Sequence, residues 1–208
     1  MPFDCLHYVL WGPSPVLSST GYRYYAVFID DCTKFSWIFP LKQKSDFFYT
    51  FIHLQRYIET QFSSKIKSFQ CDGGTEFTNN KFRSHLQSCG IVLHLACPNT
   101  PSQNGIVERK HRHVIETGLT FMFHVRVPLS LWVEAFSIVV FLINQLPSPL
   151  LDGKTPYELL FGKQPDYSML HTFGCLCFPY LKDYSPNKLS PKSASCIFLG
   201  YSTLHKGF

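Results

Sequence analysis

The chain is short of charge. Only 16% of its 208 residues are Asp, Glu, Lys or Arg, against 45% hydrophobic. That balance excludes a solvated, disordered polymer and leaves enough apolar surface for one ordinary domain with a small appendage. Long apolar runs are also missing. The longest, AFSIVVFLI at 135–143, falls well short of the roughly 20 residues that a membrane-spanning helix needs. No basic n-region follows Met1, so the sequence shows no targeting signal, and no membrane partner is expected. Paired CxxC motifs are absent as well. Cys5, Cys32, Cys71, Cys89, Cys97, Cys175, Cys177 and Cys196 are scattered, which argues against a zinc site. They read as free, buried thiols of a reducing compartment.

What is present is rich in aromatics, with 20 Phe, and mildly basic, with a net charge of +5. A polyanionic partner is permitted by that charge, not required by it. LHYVLWG (6–12), YRYYAVFID (22–30) and SWIFPLK (36–42) read as an antiparallel meander. Ser45 is the expected N-cap of a helix whose Phe47, Phe51, Leu54, Ile58 and Phe62 make one apolar stripe. KIKSFQCD (65–72) reads as a strand ending at Asp72, followed by a helix over 81–88 and a strand over 91–97. NTPSQNG (99–105) reads as a loop and 106–124 as a helix with Val107, Val114, Ile115, Leu119 and Met122 toward the core. Pro128 opens a further helix, and PYELLFGKQPDY (156–167) contains a short one. From about 168 the pattern turns to short strands and turns. The alternation marks an α/β domain followed by a small β unit.

Thirty-five residues separate Asp72 from Glu108. A strand-end Asp and a Glu in the first turns of a neighbouring helix can share one sheet edge, where open α/β sheets gather their sites. Two hard oxygen ligands suit Mg²⁺ or Mn²⁺, and paired ions support phosphoryl transfer. His111 and Arg112 follow Glu108 at helical spacing, with Arg109 and Lys110 between them, so a phosphate backbone arriving there would meet cations. Taken singly, the Asp reads equally as a turn former and the Glu as half of a surface ion pair.

The words around these residues sharpen the reading. FIDDCTKFSWIFPLKQKSD, CDGGTEFTNNKF and PNTPSQNGIVERKHRHVIE resemble the catalytic core of Copia-type retrotransposon integrases. The tail TPYELLFGKQPDY…FGCLCFPYL…KLSPKSASCIFLGYSTLHKGF resembles the SH3-like segment that follows that core. The resemblance implies an RNase H-like fold, a mixed five-stranded sheet flanked by helices, as a core over 1–165. It implies a partial, truncated SH3-like β segment over 166–208. It further implies a D,D-35-E site holding two divalent ions, with Asp72 and Glu108 as its second and third members. DNA, both element ends and target, is the implied partner, met by Gln103, Asn104, Arg109, Lys110, His111 and Arg112. A homo-oligomer and residence in the nucleus or a cytoplasmic particle are implied too.

The resembled pattern opens with a carboxylate, in a first strand reading H-S-D-V-W-G-P. Here the stretch is His7-Tyr8-Val9-Leu10-Trp11-Gly12-Pro13, and the Asp position is Val9. Asp4 is an odd number of residues away and roughly 16 Å along an extended strand. Asp30 and Asp31 end the second strand. A hairpin about 12–22 would set position 9 opposite residue 25 or so, and Asp30 and Asp31 beside residue 4. The expectation is an integrase core with weakened metal binding and no integration activity, a fragment of a decayed element. Cys32, where an aromatic is usual, and Gly118 inside a helix fit relaxed constraint. Three alternatives stand beside it: an active transferase using Asp30 or Asp31 as substitute ligand, a host-recruited DNA- or protein-binding module, and a generic RNase H-type nuclease.

Overall fold

A computed structural model of the chain describes residues 1–71, 74, 80–95, 101–184, 187 and 189–201, and the side chains of all of these but 101–104 and 182. Five strands form one mixed sheet in the order β3-β2-β1-β4-β5. These are β1 (Cys5–Trp11), β2 (Tyr24–Asp30), β3 (Ser36–Leu41), β4 (Ser68–Cys71) and β5 (Val92–Leu95). β1, β2 and β3 are the expected antiparallel meander, whereas β4 and β5 add in parallel on the other side of β1. The helices are α1 (Phe47–Phe62), α2 (Asn80–Ser88), α3 (Pro101–Val125), α4 (Trp132–Gln145) and α5 (Pro156–Phe161).

The pleat explains the layers. Successive strand residues face opposite sides, so Leu6, Tyr8, Ala26 and Phe28 join the core under α1 and α2. Tyr25, Val27 and Ile29, with Val9 and Trp11 packed against them, join the core under α3 and α4. β2 is therefore buried on both faces, and its sequence is apolar without alternation. The first core is a raft of rings in which Phe51 and Phe69 lie 5.1 Å apart, and Phe47 and Phe82 5.0 Å. Each fully buried ring contributes roughly 1.5–3 kcal/mol relative to exposure.

Several local expectations need correction. Ser45 does not cap α1; it lies inside a short 3-10 turn, Lys44–Asp46, where Asp46 accepts from the Gln43 amide at 3.0 Å. The stretch 101–105 is helix rather than loop, because Pro101 at the first position has no amide to satisfy and its fixed φ suits a helix start. Gly118 is no sign of relaxed constraint. A β-carbon there would meet the Phe136 ring at 2.2 Å, so glycine is what lets α3 and α4 approach. The thiols are not generally buried either. Among the described cysteines Cys71 is buried, whereas Cys32, Cys89 and Cys196 are exposed.

At the free edge of the meander, Asn144 of α4 acts as a short extra strand. Its Oδ1 accepts from the Ser36 amide at 2.9 Å and its Nδ2 donates to the Ser36 carbonyl at 2.8 Å. Beyond α5, β6 (Leu176–Cys177) and β7 (Cys196–Ile197) form a separate two-stranded antiparallel sheet. Phe173 and Phe198 tie it to the core under α3 and α4. Among the described residues, no single helix is long and apolar enough to cross a membrane.

Candidate functional site

Val9 sits in the middle of β1, paired with Val27 of β2. Its side chain lines a cavity of about 380 Å³ together with Glu108, His111, Arg112, Ile115 and Glu116 of α3. Helical spacing accounts for the grouping, since residues three, four, seven and eight apart fall on one face. The strand position expected to carry a carboxylate and the helix glutamate thus share one cavity. Asp72 lies outside the described residues. Its neighbour Cys71 ends β4, whose Gln70 is the parallel partner of His7.

The basic residues divide into two groups. Arg112 and His111 join Glu108 in the cavity, while Arg109, though exposed, does not line it. Lys110 is half-buried and likewise does not line it. Burial, and after it the nearby Lys34 ammonium, brings its pKa down to about 8. Burial likewise lowers His111. Its Nε2 is buried without a hydrogen-bond partner among the described residues, and its ring lies 5.9 Å from that of Tyr25. Gln103 and Asn104 belong to the first turns of α3, and their side chains lie outside the described set.

The candidate substitute carboxylates are committed elsewhere. Asp30 is fully buried and accepts from the Phe3 amide at 2.6 Å and from the Thr33 amide and hydroxyl at 2.8 Å each. It caps the turn into β3. Three residues beyond Val27, it faces the other side of the sheet, roughly 10 Å along the strand. Asp31 bridges His7 Nε2 at 3.0 Å and Lys34 Nζ at 2.9 Å. Burial pulls Asp31 upward, but these two bonds outweigh it and hold the carboxyl below its ordinary range. Asp4 is bound to the N-terminal ammonium at 3.0 Å and to Lys67 at 2.7 Å.

The hairpin register differs from the expectation by two residues. Val9 meets Val27 rather than 25, and Asp30 meets Leu6 rather than residue 4. The long connection folds back on itself, with the Ser14 amide bonded to the Arg23 carbonyl at 2.7 Å, and so delays the start of β2. A two-residue slip preserves which face each side chain takes. Sequence reasoning missed Ile115 and Glu116 as cavity residues. Their spacing of seven and eight from Glu108 was the available signal.

As donors for a hard cation, the described residues are a poor set. Val9 offers two methyl groups at the position expected to carry a ligand, and no three His, Cys, Asp or Glu side chains among the described residues are grouped to hold a metal.

A model of the integrase core domain matches residues 11–101, and one of the retroviral polymerase SH3-like domain matches residues 175–208. The retrovirus-related Pol polyprotein from transposon RE1 of Arabidopsis thaliana is 42% identical over 207 residues, 100% of this chain and 14% of the polyprotein. That from transposon TNT 1-94 of Nicotiana tabacum is 32% identical over 205 residues, 99% of this chain and 15% of the polyprotein. The chain therefore spans a small part of the curated relatives it matches. Among solved structures, the intasome of simian T-cell lymphotropic virus in complex with PP2A regulatory subunit B56 gamma superposes with a TM-score of 0.61. It is 16% identical, over 93% of this chain and 66% of that one. The HTLV-2 integrase catalytic core domain in complex with magnesium gives 0.56 at 16% identity, over 76% and 96%. These neighbours share the RNase H-like fold.

Proposed function

The chain carries the integrase core and the SH3-like segment of Copia-like retrotransposon Pol polyproteins, and from that kinship we propose that it is an integration core disabled at Val9. The observation that carries the proposal is the cavity shared by Val9 and Glu108. In this reading Asp72 and Glu108 are the surviving carboxylates, and the divisions of the chain are a core over 1–165 and an SH3-like segment over 166–208. Mg²⁺ or Mn²⁺ is the ion such a site takes, and it supplies charge neutralisation for phosphoryl transfer when bound. The HTLV-2 core in complex with magnesium supports that choice at the level of the fold.

Glu108 offers one hard oxygen ligand at the cavity, whereas the Val9 methyls offer none. Loss of an outer partner alone costs about 10–100-fold in metal affinity or activity, and loss of a direct ligand costs more. DNA is the proposed partner, with exposed Arg109 and Arg112 offering sequence-independent phosphate contacts. Gln103, Asn104, Lys110 and His111 complete that proposed contact set, and self-association of the core is proposed with it. The same exposed arginines favour a second reading, a DNA-binding module kept without catalysis.

Strand-transfer and disintegration assays with Mg²⁺ and Mn²⁺ test the first reading. The chain should be inactive and the Val9→Asp variant active. Activity of the unaltered chain that Asp72→Asn abolishes would overturn it. Metal-independent DNA binding that falls steeply with salt, in a chain that V9D leaves inactive, would favour the second.

A further inference from the structure

We infer that Cys177 and Cys196 form an oxidisable pair, a modification site at which a small disulfide oxidant such as oxidised glutathione joins β6 to β7. The inference stands apart from the integration reading and rests on the two-stranded sheet. Cys177 and Cys196 are direct cross-strand partners, and both are free thiols. Directly opposed residues of an antiparallel pair have Cα atoms about 4.5–5.5 Å apart and side chains on the same face. That lies within the roughly 4.4–6.8 Å that a disulfide accepts.

The geometry also selects the pair among the described thiols, of which Cys5 lies in β1. Cys175 immediately precedes β6, two residues before Cys177, about 7 Å away for extended chain and beyond comfortable reach of a bond. Cys71 is buried in the opposite core, Cys32 follows β2, and Cys89 follows α2. The two thiols differ in access. Cys196 is exposed and Cys177 half-buried. Desolvation, followed by the neighbouring thiols Cys196 and Cys175, raises the Cys177 thiol. Cys196 is therefore the attacking group, since the accessible thiolate is the nucleophile.

The chemistry balances in two exchanges. The Cys196 thiolate attacks one sulfur of the oxidised glutathione and releases a glutathione thiolate, leaving a mixed disulfide. Cys177 loses its proton, attacks the Cys196 sulfur and releases the second glutathione thiolate. Two protein thiols are oxidised, and one small disulfide is reduced to two thiols. The product pins together two strands that otherwise pair over two residues each.

The test uses the unaltered full chain. Reduced protein is freed of reductant, incubated natively with oxidised glutathione, alkylated, digested without reduction and mapped by mass spectrometry. The expected result is a Cys177–Cys196 linked peptide with the loss of two alkylatable thiols, while Cys175 stays alkylated. Cys177→Ser should trap glutathione on Cys196, and Cys196→Ser should leave Cys177 largely alkylated. Full alkylation of both cysteines in the unaltered chain, or a bond from Cys177 to any other cysteine, would overturn the proposal. The same mapping in denaturant should give scrambled bonds; an equal Cys177–Cys196 yield there would show that the fold does not select the pair.

Discussion

Val9 of β1 and Glu108 of α3 line the same cavity, so a helix delivers a carboxylate to a strand position that presents two methyl groups. Valine is a good strand residue, and Val9 packs against the core under α3 and α4. Valine at this position therefore suits the fold, whereas it offers a cation nothing.

Restoring the carboxylate should reverse that balance. Val9→Asp should lower the melting temperature in metal-free buffer, because a second carboxylate joins Glu108 and apolar packing is lost. Millimolar Mg²⁺ or Mn²⁺ should return part of it, since a ligand that binds only the folded state stabilises it. The unaltered chain should show little metal-dependent shift. A scanning fluorimetry series with and without EDTA checks both; an equal shift in the two proteins would contradict the assignment of the lesion.

Asp30→Asn separates structure from metal chemistry. It puts an amide NH₂ where the buried carboxylate accepts from the Phe3 and Thr33 amides and the Thr33 hydroxyl. One buried donor is then left facing another, a loss of about 1–3 kcal/mol. Urea denaturation should show that loss, and metal titration of Val9→Asp/Asp30→Asn should match that of Val9→Asp alone. A change in metal response would revive Asp30 as a substitute ligand.

Gly118→Ala pits propensity against packing. An exposed helix site would gain about 1 kcal/mol from alanine. Here the new methyl meets the Phe136 ring at 2.2 Å, and overpacking costs about 1–3 kcal/mol. Net destabilisation is expected, partly relieved by pairing the change with Phe136→Leu. Equilibrium unfolding of the single and double variants gives the sign.

Asn144→Ala should strip the Ser36 amide and carbonyl of their partners, both at a buried residue. A loss of about 2–4 kcal/mol is expected from two unmet backbone groups. Hydrogen exchange should show the Ser36 amide losing protection before those in β2.

The Asp31 bridge makes a modest pH signature. Its folded pKa lies below the ordinary 3.8, so the unfolded state takes up the proton first as pH falls. The stabilisation is present above about pH 4 and disappears as pH drops through the folded value. With the Asp31 side chain 46% exposed, solvent screening keeps the effect small. Asp31→Asn should lower the melting temperature slightly above about pH 4 and converge with the unaltered chain in acid, which flattens the acid limb of the profile.

Much of the frame was legible because period is a local property. The apolar stripe of α1 named Phe47, Phe51, Leu54 and Ile58, all buried as expected, while Phe62 at the helix end is only partly covered. The meander and the parity of Val9 followed from alternation. The register did not, since it depends on how the 12–23 connection folds back. The start of α3 at Pro101 was hidden by a composition that reads as loop. Gly118 was misread because the Phe136 ring that requires it comes from another helix. Of the site, Glu108, His111 and Arg112 were named from spacing, but Lys110 was taken as a flanking cation and lies apart from the cavity, and Asp72 falls outside the described residues.

The cavity under Val9 has a bearing on heredity. Aspartate and valine codons ending in a pyrimidine differ only at their second base. On the proposed reading, a recess with its glutamate, histidine and arginine in place stands as little as one nucleotide from a complete ligand set. On that reading the difference between an inert and a working site is a letter rather than an architecture.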